Sequence, residues 1–248
     1  AENPELAIGV HLTLTSEWSK YRWAPVNAEH TASLRDEEGY MWHESDQVEE
    51  HVDLDEVEGE IRAQIERCKR LGLTNPSHLD NHMGSLYGIE TGRFELLELT
   101  LSLAGEYGLP FRFPGSFTEA QFNNTMLDIN IDKSMIEMVF GKVVAFAKQQ
   151  GVAIPDYLMP NEWNEPQTQS YEQFREYLYD LYASIPEGVT ETYLHPAKES
   201  DDLKGTSSVW ERRVWEYRVM SDPATKQHIE AHGIKLINYR DLAAMRKA

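Results

Sequence analysis

Residues 6–15 read Leu-Ala-Ile-Gly-Val-His-Leu-Thr-Leu-Thr, and the alternation in this stretch decides the fold class. Leu6, Ile8, Val10, Leu12 and Leu14 fall on one face of an extended chain, Ala7, Gly9, His11, Thr13 and Thr15 on the other. A bulky face beside a small, polar one predicts a strand with helices against its bulky side. Further along, helices and strands alternate. Leu54 to Leu71 is amphipathic, with Val57, Ile61, Ile65, Cys68 and Leu71 at helical spacing and Gly72 as its stop. Pro76 to His82 reads as a short strand with its exit loop. Arg93 to Tyr107 is the next helix, stopped by Gly108 before a strand over Leu109 to Phe113. Ser134 to Gln150 gives a third helix, ended by Gly151 before the strand-like Ile154 to Leu158. Tyr171 to Ala183 is a fourth, and Val189 to Leu194 is the strand that delivers His195. Helices over Val209 to Met220 and Thr225 to His232 precede a last strand, Ile234 to Tyr239. This order predicts an α/β chain with a mostly parallel sheet. No repeat and no Pro/Gly/Ser-rich linker interrupts it, so residues 1–248 are expected to form a single domain.

Two segments lack a period. Ser16 to Gln47 is polar and aromatic, carrying Trp18, Tyr21, Trp23 and Trp42, and reads as a long loop of the kind that is usually functional. Those rings suit stacking against a sugar as well as they suit padding the domain. The acidic run from Glu44 to Glu60 reads as a solvated helix face.

Composition excludes several classes of function. The formal net charge of −19 repels phosphate backbones and anionic membrane surfaces, so nucleic acid and lipid headgroups are poor partners and a neutral or cationic small molecule is a better one. With 41% hydrophobic residues, disorder is not a serious reading. Cys68 is the only cysteine, so no intramolecular disulfide and no thiolate cluster can form, which fits a reducing, cytoplasmic setting. No apolar run is long enough to span a membrane, and the first residues show no signal-peptide pattern. The sequence leaves room for a homo-oligomer.

His11, His82 and His195 each sit at or just past the end of a predicted strand, where functional groups of parallel α/β proteins gather. His78, Asp80 and His82 share a face if their segment stays extended. Imidazoles with a carboxylate suit Zn²⁺ or a similar divalent ion. A histidine on a strand is nonetheless more often a hydrogen-bonded packing residue than a ligand, and that plainer reading is kept for His78, beside Pro76. The spacing His78-xxx-His82 is that of a zinc-protease pair, but no Glu follows His78 and Pro76 opposes a helix, so that reading is rejected.

Three segments in order resemble the YdjC-like carbohydrate deacetylases, the family of the chitooligosaccharide deacetylases: Ala7-Ile-Gly-Val-His-Leu-Thr-Leu-Thr15, Pro76-Ser-His-Leu-Asp-Asn-His82 and Leu194-His-Pro196. Ser207-Ser208, Arg213-xx-Glu216 and Gly233 to Asp241 follow in register, so the resemblance covers nearly the whole chain. It implies an incomplete or distorted (β/α) barrel and hydrolysis of an N-acetyl group on an amino sugar. It also implies a divalent metal, Mg²⁺ or Zn²⁺, on His11 and His82. His195 maps onto the family's His-Pro histidine and is the candidate acid for the departing amine. Asp80, His78 and Arg213 are candidates for supporting or substrate contacts.

One departure stands out. The family opens with a strand ending in Asp-Asp-Phe/Ile-Gly that supplies a metal-binding aspartate and a base, and no such motif occurs here; the pair Asp201-Asp202 falls in a polar stretch after His195. The chain is therefore expected to be a fragment or a truncated relative that binds metal weakly and turns over little substrate. The alternative is a non-catalytic carbohydrate-binding domain on the same scaffold.

Overall fold

The computed structural model describes residues 3, 5–118, 133–161, 167 and 169–247. The chain divides into two compact units: residues 1–116, 126–154 and 238–248 in the first, 117–125 and 155–237 in the second.

In the first unit, β1 (Val10–Leu12) pairs in parallel with β2 (Leu79–Asn81), placing His11 opposite Asp80 and Leu12 opposite Asn81. The layer continues past β2 through single contacts. The Leu79 amide donates to the Pro110 carbonyl (2.9 Å), Arg112 to Leu79 (3.0 Å), and Phe111 to Ala153 (3.0 Å). Val10, Leu12 and Leu14 are buried as the alternation requires, but the ladder is shorter than expected. Leu6 and Ile8, which precede the paired residues, are 52% and 49% exposed.

The crossover from β1 to β2 holds α1 (Ser45–His51) and α2 (Leu54–Arg70). Asp53 caps α2 by accepting from the Asp55 and Glu56 amides, while Arg67, Lys69 and Arg70 oppose the dipole at its other end. α3 (Glu95–Tyr107) ends at Gly108 in the left-handed region (φ 67°), a conformation that costs glycine nothing. α4 (Lys133–Gln149) packs on α3, and α3 on α2. Val57, Ile61 and Ile65 from α2 join Leu79, Leu97, Phe111 and Phe113 in one core. Full burial of each such side chain contributes roughly 1.5–3 kcal/mol of transfer free energy.

The loop between β1 and α1 is tied down by charge. The Arg22 guanidinium donates to the Ser16 and Met41 carbonyls and pairs with Asp36 (2.7 Å). Most of the acidic run is the solvated face expected from sequence, with Glu44, Asp46, Glu50, Asp53 and Asp55 exposed, but two of its carboxylates turn inward. Glu60 is fully buried and accepts from the Val26 and Asn27 amides (2.8 Å each), and buried Glu49 accepts from Thr91 (2.7 Å). Loop amides folded away from water need acceptors, and these carboxylates supply them.

In the second unit, β3 (Tyr157–Leu158) pairs in parallel with β4 (Thr190–Glu191). Its helices are α5 (Tyr171–Ala183), α6 (Asp201–Thr206), α7 (Trp210–Ser221) and α8 (Pro223–Ala231). Phe174, Leu178, Tyr182, Val219 and Ile229 form a separate small core. Asp201 and Asp202 occupy the first turn of α6, capped by Ser200, rather than a loop. The strand expected over Ile234 to Tyr239 is absent. Residues 234–238 pair with no strand among the described residues, and Tyr239 opens α9 (Tyr239–Lys247). Asn238 caps that helix through its side-chain oxygen on the Arg240 amide (2.8 Å) while Asp241 reaches back to the Asn238 amide (3.0 Å).

Candidate functional site

His11 points away from the core because its β1 neighbours, Val10 and Leu12, take the buried face. His82 leaves β2 in a 3₁₀ turn, His82–Gly84, whose middle residue Met83 has φ 55°. A non-glycine residue in that region stores of order 1–3 kcal/mol and persists only where its surroundings hold it. Here the Met83 carbonyl accepts from the Ser45 hydroxyl (2.7 Å), and the His82 carbonyl accepts from that of Ser85 (3.0 Å). The turn swings the His82 ring off the strand face and toward His11. The two rings meet edge to face, with Nε2 of His11 3.3 Å from Nδ1 of His82.

Each imidazole gives its other nitrogen to a carboxylate. Asp80 Oδ2 lies 3.0 Å from His11 Nδ1, and Glu17 Oε1 lies 3.0 Å from His82 Nε2. A carboxylate only accepts, so both outer nitrogens carry the protons. If each ring carries a single proton, the inner nitrogens then face each other as lone pairs, an arrangement that calls for a cation or a shared proton. Asp80 is buried, which works to raise its pKa, but the hydrogen bond from His11 and the charge of Arg112 hold it below the ordinary carboxylate value. Arg112 Nη1 is 2.6 Å from the same oxygen.

The pair fits a divalent metal. Two nitrogens each about 2.1 Å from one ion, at angles of about 90–110°, lie about 3.0–3.4 Å apart, and the observed separation falls inside that span. Carboxylates on the outer nitrogens are the usual supports of ligating imidazoles. Among the described residues, no group of three or more His, Cys, Asp and Glu side chains is arranged to hold a metal. The protein donors at this point are thus the two imidazoles.

His78 does not join them. Its ring stacks on Tyr239 (centroids 3.8 Å, planes 11° apart) and lies so close over Gly9 that a Cβ there would sit 2.5 Å away. His195 lies in the second unit, exposed, its amide donating to Glu216 Oε2 (2.7 Å). Glu216 is fully buried on α7; burial pushes its pKa up, against hydrogen bonds from His195 and Asn161. Arg213, one turn earlier, accepts the Ala197 amide on its carbonyl (3.0 Å).

A cavity of about 510 Å³ opens beside His11 and His82, with Trp18, Trp23, Met41 and Glu17 in its walls. Sequence reading missed Glu17 and Arg112. Glu17 was findable as the first carboxylate after the strand that bears His11. Arg112 required the parallel register that sets Phe111 against Leu79 and so brings Arg112 to Asp80.

A parallel α/β layer brings together two carboxylate-backed imidazoles beside a cavity walled by tryptophan. The comparisons are more particular. The model of the YdjC-like protein family matches residues 1–231, and the chain belongs to that family. A carbohydrate deacetylase of Enterococcus faecalis is 32% identical over 242 residues, 97% of this chain and 79% of that protein. One from Thermoanaerobacter pseudethanolicus is 27% identical, covering 95% and 78%. The crystal structure of an Enterococcus faecalis protein named for cellobiose-phosphate cleavage superposes with a TM-score of 0.68 at 30% identity, covering 96% of this chain and 78% of that one.

Proposed function

We propose that this chain is a metal-dependent hydrolase that removes N-acetyl groups from amino sugars or oligosaccharides. The observation that carries the reading is the pair of inward-facing nitrogens on His11 and His82, 3.3 Å apart, each backed by a carboxylate. The relatives named carbohydrate deacetylase support the reaction class. The parallel neighbours β1, β2 and Phe111, with the Phe111 amide bonded on to Ala153, support an incomplete or distorted (β/α) barrel as its frame. The unpaired Cys68 is in keeping with a cytoplasmic protein.

His11 and His82 would hold the ion, and two imidazoles suit Zn²⁺ better than Mg²⁺. When bound, a divalent ion supplies Lewis-acid polarisation of a carbonyl oxygen. Asp80 and Glu17 keep both rings turned inward. Trp18 and Trp23 offer flat apolar surface on which a pyranose ring can lie. His195, on the strength of its Leu194-His-Pro196 motif, is the group we assign to protonate the amine as the C–N bond breaks. Because neither carboxylate faces the point between the rings, an ion there would have two imidazoles as its protein donors and would be held weakly.

The test is acetate release from N-acetylated chito-oligosaccharides by metal-stripped protein, with and without added Zn²⁺ or Mg²⁺. Release that requires added metal and stops with chelator is expected, and it should be slow, since the family's Asp-Asp motif is absent from these residues. Saccharide binding without acetate release under any metal would sink the enzyme reading in favour of a carbohydrate-binding domain.

A further inference from the structure

We propose that Glu17 is a positioning residue that decides whether the histidine pair is open to a cation or closed on itself. This rests on the reading of His11 and His82 as a cation site and adds what keeps that site open.

His82 faces two partners, Glu17 at Nε2 (3.0 Å) and His11 at Nδ1 (3.3 Å). A neutral imidazole has one proton to give. With the carboxylate in place the proton sits on Nε2, and Nδ1 presents a lone pair. Without it, the other tautomer becomes the favourable one, since Nδ1–H can donate to Nε2 of His11, whose own proton is committed to Asp80. The two rings would then be joined by a hydrogen bond along the line a cation needs. Asp80 cannot do this work for His82, because its Oδ2 already serves His11 and Arg112.

The mounting of Glu17 is rigid enough for the task. Its neighbour Ser16 is fully buried, its amide donating to Trp42 (2.6 Å), its hydroxyl accepting from Trp23 (2.9 Å) and its carbonyl accepting from Arg22 (3.1 Å). The second carboxylate oxygen of Glu17 is buried and has no hydrogen-bond partner, so the side chain's commitment is to His82.

Two measurements test this. Nitrogen-15 NMR of histidine-labelled, metal-free protein reads the tautomer of His82 directly: Nε2–H is expected in the wild type, with a shift toward Nδ1–H in Glu17→Ala. Calorimetric titration with Zn²⁺ or Co²⁺ should show affinity roughly 10–100-fold lower in Glu17→Ala, partly restored in Glu17→Asp, and no binding at this site in His82→Ala. If the wild type holds the Nδ1–H tautomer, the proposal is wrong whatever the variants do. If the wild type binds metal and Glu17→Ala binds it equally well, the proposal fails while the cation site stands. If the wild-type protein binds no divalent ion, the reading of the site fails and takes this proposal with it.

Discussion

Between pH 7 and pH 4 the first unit should lose about 3 kcal/mol of stability through His78 alone. The ring is clamped between Tyr239 and the backbone of Gly9. Burial lowers its pKa to about 4; Asp80 opposes that shift, while the charge of Arg112 adds to it. In the unfolded chain the same imidazole titrates near 6.5. Above that value the ring is neutral in both states. As the pH falls from 6.5 toward 4, the unfolded chain takes up a proton that the folded one refuses, so stability drains away across this window and is gone below it. The gap between the two values, at about 1.36 kcal/mol per pH unit, gives the 3 kcal/mol. Urea unfolding of wild type and His78→Phe at pH 7, 6, 5 and 4 isolates the contribution, since every other carboxylate and histidine titrates in both proteins. The variant should lose about 3 kcal/mol less over the range, whatever its stability at pH 7. Parallel pH profiles would refute the reasoning, and with it the packed, neutral ring.

Two further substitutions probe the buried carboxylates. Glu60→Ala strands the Val26 and Asn27 amides and Gln64 Nε2, three donors that now meet its oxygens at 2.8 Å. A loss of about 2–4 kcal/mol is expected, read by urea unfolding, together with faster proteolytic nicking of the loop between β1 and α1. A loss under 0.5 kcal/mol would show that water replaces the carboxylate without cost. Glu216→Leu leaves the His195 amide and Asn161 Nδ2 without their acceptor, so about 1–3 kcal/mol should go. Hydrogen exchange at the His195 amide should speed up in the same variant, and unchanged protection there would count against the assignment.

The elements whose signals are local could be read from the chain. Tyr171 to Ala183 is helical over the full span expected from its period, with Ser170 as its cap, and α2 and α3 end where Gly72 and Gly108 predict. The same locality explains a misreading. Ile234 to Tyr239, short and rich in apolar residues, reads as a strand, yet the Asn238 and Asp241 side chains that cap α9 lie in the same stretch of sequence. His11 and His82 could be singled out as strand-end histidines with matching motifs.

What the sequence could not contain is which distant groups meet. Asp80 is a strand residue like any other until parallel pairing sets it beside His11 and Arg112. Glu17, Glu49 and Glu60 look like solvated acids until folding brings an imidazole or a row of loop amides to each. Side-chain periodicity is written along the chain because it repeats within a turn or a pleat. The partner of a buried charge is fixed by the packing of segments dozens of residues apart, so only the tertiary structure decides whether a carboxylate faces water, an amide or a histidine.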